Sequence, residues 1–228
     1  MRSPQPVLLL AACCALTSLA TSAGAADNYS QTWSGGSTEN WTANTSDSTV
    51  THILGSGLPP GSLYAHTNGN FDYGFFNGTD TALKGSFAAG LWTVSLDLAV
   101  GLDSAHNWLR FRYQDSTFNG WRYDFGALAG QSSDNILWHA LSVSFDTTWS
   151  DAQAMAHGWS QEGGPVVSWA QNMSNAYGTE LRLQRNTSNG DDALMDNFRL
   201  QAPVPEPQTW GLMLAGLALL GLARRKQG

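Results

Sequence analysis

The sequence predicts a mainly β protein, a single antiparallel β-sandwich of jelly-roll type flanked by an apolar leader and a short C-terminal transmembrane helix. Three observations predict it. Eight to ten short stretches alternate apolar and polar residues and are separated by Gly, Pro, Asn and Asp signals. Only one internal stretch reads as a helix, and no repeat of 20 to 50 residues is visible in the 228-residue chain. Many short strands in one domain lead to a sandwich, with a jelly roll as the favoured version.

Residues 27–49 are rich in Ser, Thr, Asn and Gly, with Trp33 and Trp41 as the large apolar anchors, and predict an irregular lead-in with at most an edge strand. Residues 49–54 are β-branched and stop at a Gly- and Pro-rich run, 55–61. Residues 72–76 and 82–87 are short strand candidates around the Asn77-Gly78 turn. The clearest strand is 91–100, with Trp92, Val94, Leu96, Leu98 and Val100 on one face and Thr93, Ser95 and Asp97 on the other. Residues 108–113 alternate with Arg110 and Arg112 opposite Leu109, Phe111 and Tyr113, and 121–125 and 138–145 repeat the scheme. Residues 150–157 predict the one helix, with Ser150 as N-cap, Asp151 in the first turn and Gly158 at its end. Strands are expected again at 165–169, 180–185 and 193–200.

The two ends have their own patterns. Arg2, an apolar run over 7–20 and the small residues Ala23, Gly24, Ala25 and Ala26 form a secretory signal peptide, residues 1–25, cut after Ala25 or just beyond it. The competing reading is a lipoprotein box ending at Cys13, but the apolar run continues past it. Cys13 and Cys14 are the only cysteines and lie in this leader, so the mature body has no disulfide to lean on. The body is residues 26–202, enough for one sizeable domain. It keeps seven basic and at least 17 acidic residues, a charge near −10 that argues against nucleic acid or anionic lipid as partner.

Residues 203–228 form a tail of three parts: Val204, Pro205, Glu206 and Pro207, then an uncharged run with a helix at about 209–223, then Arg224, Arg225 and Lys226. The prolines keep the helix from starting before 208. At helical rise the run reaches about 22 Å, short of the ~30 Å hydrocarbon core. The basic cluster suits a span whose C-terminus stays in the cytoplasm. A chance Pro-Glu-Pro before a tail anchor or a buried helix is the bland alternative. The order and spacing of the three parts resemble the PEP-CTERM sorting signal of Gram-negative bacteria. That resemblance implies processing by the intramembrane enzyme exosortase. It also implies an inner-membrane-anchored precursor and delivery to the cell surface or exopolysaccharide matrix.

In the body, no nucleophile elbow, metal-binding His pair or phosphate loop occurs, and His52, His66, His106, His139 and His157 are scattered without ligand spacing. Asp124, Glu162 and Glu180 could supply a glycosidase pair only if two of them faced each other across a cleft; otherwise they are solvated strand-end charges. The segment 191–200 resembles the last strand of jelly-roll carbohydrate-binding and laminin-G-like modules. That likeness implies a structural calcium near Asp196; a plain polar turn at 189–192 is the alternative. No cofactor beyond that calcium is expected. Nine of the ten tryptophans lie in the body. Trp108, Trp121 and Trp138 each open an expected strand, where flat rings could stack on sugar, although an aromatic core is the competing use. Six Asn-x-Ser/Thr sequons would matter only in a host that glycosylates them.

The expectation is a non-enzymatic exported protein whose sandwich binds polysaccharide or a matrix component. The alternative is a secreted glycan-active hydrolase or lyase on the same fold. Ice binding ranks below both, because the body lacks a regular Thr-x-Thr ladder.

Overall fold

Period-two patterning sorts the chain into two six-stranded antiparallel sheets packed face to face. The computed structural model describes residues 28–54, 61–69, 71–114, 119–131, 136–164, 166–185 and 190–203. The leader with Ala23 and Ala25, and the tail with Val204, Pro205, Glu206, Pro207, Arg224, Arg225, Lys226 and the helix expected at 209–223, lie outside them. Among the described residues no helix is long and apolar enough to cross a membrane.

In chain order the strands are β1 (Tyr29–Gln31), β2 (Thr42–Ala43), β3 (Ser48–Ile53), β4 (Ser62–Thr67), β5 (Asp72–Asn77), β6 (Leu91–Val100) and β7 (Ser104–Tyr113). They continue with β8 (Gly120–Asp124), β9 (His139–Asp146), β10 (Trp159–Gln161), β11 (Ala176–Arg185) and β12 (Asp191–Gln201). The first sheet runs β3-β4-β12-β6-β9, with β1 also on β12; the second runs β10-β8-β7-β11-β5-β2. This is a jelly-roll-like sandwich with few helices.

Strand β6 shows why the pattern works. Trp92, Val94, Leu96, Leu98 and Val100 are all buried on its inner face. They meet Leu109 and Phe111 of β7 and Leu181 and Leu183 of β11 in one core. Aromatic packing takes the place of disulfides: Phe111 lies 4.9 Å from Phe145 and stacks on Trp159 at 5.5 Å, while Trp41 meets Phe198 at 5.0 Å. Six tryptophans (Trp33, Trp41, Trp92, Trp121, Trp159 and Trp169) are fully buried. The core use of these rings therefore accounts for most of the tryptophan content.

The helix α1 (Asp151–Ala156) forms where expected, with Ser150 and Gln153 closing a capping box and Gly158 following at φ 87°. Two expected strands do not form among the described residues. Residues 81–83 form a 3₁₀ turn, and only Gly85 bridges to Ala176. The expected strand at 165–169 gives way to a second helix, α2 (Trp169–Ser174), because Ser168 and Gln171 close their own capping box. Asp151 ties the two helices together by accepting the Trp169 amide at 2.7 Å.

Candidate functional site

The outer face of the second sheet is where the sequence concentrates charge, and the register explains how. Across β8, β7 and β11, Asp124, Trp108 and Arg182 stand in one row. Arg122, Arg110 and Glu180 stand in the next, with Phe76 of β5 beyond them. Strand parity that sends Leu109 and Phe111 inward therefore brings the even-numbered residues of β7 together outside. Four of the body's seven basic residues are on this face.

Behind the surface lies a buried ion ladder. Arg110 bonds Glu162 and, at 2.7 Å, Glu180, and Arg112 donates to the same Glu180 oxygen. Asn44 donates to the other Glu180 oxygen at 2.8 Å, so both oxygens of that carboxylate are engaged. Arg112 also lies over the Phe76 ring at 4.0 Å. Burial alone would raise the Glu180 carboxyl, but the charges of Arg110 and Arg112 and its donated bonds hold it below the usual range. The ladder ties β7, β11 and the segment after β10 together behind the face.

In front of the ladder is a cleft of about 300 Å³, lined by Asp72, Trp108, Arg122, Gln161, Glu162, Gly163, Arg182 and Gln184. It is at the small end of the range for ligand sites. Arg122 is one-third exposed and gives one N–H to Glu162 at 3.2 Å. Arg182 pairs with Asp72. Both guanidiniums lie over Trp108, at 4.6 and 5.8 Å from its ring centroid. Gly74 faces Arg182 across the β5–β11 ladder at φ 149°, and a Cβ there would lie 2.1 Å from the Leu181 carbonyl oxygen. The cleft can thus present guanidinium forks, carboxylates and side-chain amides around one indole, a set that matches a ring bearing adjacent hydroxyls.

The three tryptophans expected to face a ligand are not brought together. Trp108 reaches the cleft, but from within β7, because that strand begins at Ser104. His106 stacks parallel to it at 5.2 Å and is held by Asp124 at 2.5 Å, so the ring is only 6% exposed. Trp121 is fully buried, donating to the Val167 carbonyl at 2.9 Å, and cannot face a ligand. Its position in register with Phe111 turns it inward. Trp138 is half-buried and precedes β9, the edge strand of the other sheet. The polar residues Asp72, Arg122, Gln161, Arg182 and Gln184 were not singled out by sequence reasoning. The one available signal was the alternation that puts Arg110 and Arg112 opposite the core.

The calcium expectation meets a poor donor set. Asp196 is fully buried at a bulge of β12, and its Oδ1 accepts the Asn197 amide at 2.6 Å. No group of three or more His, Cys, Asp or Glu side chains converges among the described residues. Asp191 and Asp192 belong to β12 and serve as hydrogen-bond acceptors. Asp191 takes the Tyr73 hydroxyl and the Leu102 amide, and burial raises its carboxyl above the ordinary value. Among the described residues, the acidic side chains near Asp196 do not by themselves supply the six to eight oxygens that a calcium ion takes.

A comparison with curated proteins finds no match. Among solved structures, an exo-beta-agarase matches with a TM-score of 0.53 at 9% identity, over 77% of this chain and 25% of the agarase. This chain therefore spans about a quarter of that protein's length. The CBM22-1 xylan-binding domain from Paenibacillus barcinonensis Xyn10C matches at TM-score 0.47 and 14% identity, over 79% of this chain and 97% of the domain. The family 11 carbohydrate-binding module of Lic26A-Cel5E from Clostridium thermocellum matches at TM-score 0.47 and 12% identity, over 80% and 98%. These likenesses concern the fold. Residues 203–227 match the PEP-CTERM protein-sorting motif. The chain therefore carries a PEP-CTERM sorting motif directly behind a jelly-roll-like β-sandwich.

Proposed function

We propose that this is an exported surface or matrix protein, delivered through its tail, whose sandwich binds glycan in the Trp108 cleft. The observation that carries the binding reading is the convergence of Arg122, Arg182, Asp72, Gln161 and Gln184 around Trp108 on one sheet face. Vicinal hydroxyls can accept from a guanidinium and donate to a carboxylate at once, and such charge-assisted bonds are stronger than neutral ones. The indole serves mainly as the wall that holds both guanidiniums in place.

The rival reading is a glycan hydrolase, which needs one carboxyl kept protonated as general acid. Of the two buried carboxylates here, Glu180 is held ionised by two arginines, and Glu162 is shared between Arg110 and Arg122. That arrangement favours binding without turnover. The tail supports an exosortase-processed, inner-membrane-anchored precursor in a Gram-negative host, with a polysaccharide or matrix component as final partner.

Affinity electrophoresis of the purified protein through agarose, xylan and mixed-linked β-glucan tests the binding reading. Retardation is expected in at least one gel, and Arg122→Gln weakens it by roughly tenfold through loss of a charged hydrogen bond. Equal migration in all gels, or retardation that ignores Arg122→Gln, would overturn the site. Release of reducing ends from any of the glycans would favour the hydrolase instead.

A further inference from the structure

We propose a second glycan site on the outer face of the first sheet, on the opposite side of the sandwich from Trp108. Register again builds it. Tyr64 of β4, Leu194 of β12 and Ala99 of β6 form one row across three strands. His66 and Asp192 face each other in the adjoining row. Tyr64, Leu194, Ala99 and Asp192, together with Ile53 and Gln131, line a cleft of about 210 Å³, and His66 stands just behind it against Asp192.

Leu194 and Ala99 make an apolar floor, and Tyr64 makes an aromatic wall parallel to His66, within 10°. Asp192 is fixed without being used up. Its Oδ1 takes the Tyr64 hydroxyl and, at 2.6 Å, the His66 Nδ1. Among the described residues no hydrogen bond reaches its Oδ2, and nearly half of the side chain is exposed. His66 is itself steadied from behind by the Asn68 side-chain oxygen at 2.9 Å. Gln131 is positioned by its backbone amide, which donates to the Val100 carbonyl at 2.9 Å, and its side chain is exposed at the rim.

The occupant this suits is a single pyranose ring of a polysaccharide. Its C–H face lies on Leu194, Ala99 and Tyr64, and its hydroxyl edge donates to Asp192 Oδ2 and meets the Gln131 amide. An apolar cleft with a few convergent polar groups is the usual composition of a small-ligand site. Two clefts on opposite faces allow one molecule to join two glycan strands, and joined sites gain avidity without new contacts.

Calorimetric titration of the purified full chain in detergent with xylohexaose, a mixed-linked β-glucan tetrasaccharide and an agarose hexasaccharide tests this. The His66 ring resonances are followed in parallel by NMR. At least one probe is expected to bind at two sites and to move the His66 resonances. Asp192→Asn, which keeps the side-chain shape, and Tyr64→Ala should each weaken one event by roughly tenfold and abolish the His66 response. Arg122→Gln should weaken only the other event. Binding that is lost with Arg122→Gln and unchanged in both Asp192→Asn and Tyr64→Ala overturns the second site and leaves the first. Binding lost only with the Asp192 and Tyr64 variants does the reverse. No heat and no shift with any probe removes both.

Discussion

Glu180 is the residue on which the outer face of the second sheet depends. It is fully buried, yet it stays ionised because Arg110, Arg112 and Asn44 all turn their donors to it. Removing its charge leaves Arg112 buried without a carboxylate and Arg110 with Glu162 alone. Glu180→Gln is therefore expected to destabilise the protein by about 3–5 kcal/mol, measured by urea unfolding. A folded carboxyl below its unfolded value stabilises the native state above the unfolded pKa. That contribution disappears as pH falls through the folded pKa. The wild type should lose stability on acidification below about pH 4.5, and Glu180→Gln should lose correspondingly less. Calcium belongs to the same scale. With Asp196 bonded to its own neighbour, millimolar calcium is expected to leave the thermal midpoint unchanged, and a rise of several degrees would restore a metal there.

At the level of elements, legibility followed periodicity. The five inward residues of β6 could be read directly because its strict alternation admits one buried face. Strands β1, β2 and β10 span only two or three residues each, too short for any period to register. Helix α2 was masked by Val166 and Val167, whose β-branching suggests a strand, while Ser168 and Gln171 carried the decisive capping signal. Ser168→Ala should cost about 1 kcal/mol, visible as a lower thermal midpoint, because Trp169 and Met173 of that helix are buried in the core. The site was less legible than the fold for a related reason. Alternation tells which residues of one strand share a face, but cross-strand register decides that Arg182 stands beside Trp108 and that Trp121 points inward. Register depends on pairings between residues far apart in sequence, which local pattern does not encode.

Across the whole molecule, the start and finish of the sandwich lie side by side. Strand β1 pairs with the end of β12, and the Asn28 side chain accepts the Ala202 amide at 2.7 Å. Asn28 and Ala202 therefore lie at one pole of the body, while the turn before β7 and the Tyr64 cleft lie toward the other. Deleting residues 203–228 leaves this pairing untouched. The truncated protein should fold with an unchanged thermal midpoint but accumulate in the periplasm or medium instead of on the surface. Cell fractionation measures that distribution, and normal surface levels would refute the role given to the tail.

The strand that leads into the tail is also the most enclosed in its sheet. Strand β12 is laced to β4 and then β1 along one edge and to β6 along the other. Tension entering the chain at Ala202 runs parallel to those ladders and loads their hydrogen bonds in shear, many together, where a peripheral strand would peel one bond at a time. A protein held by this end would resist being dragged open by flow, because the most force-bearing part of its architecture is the part nearest the sorting motif.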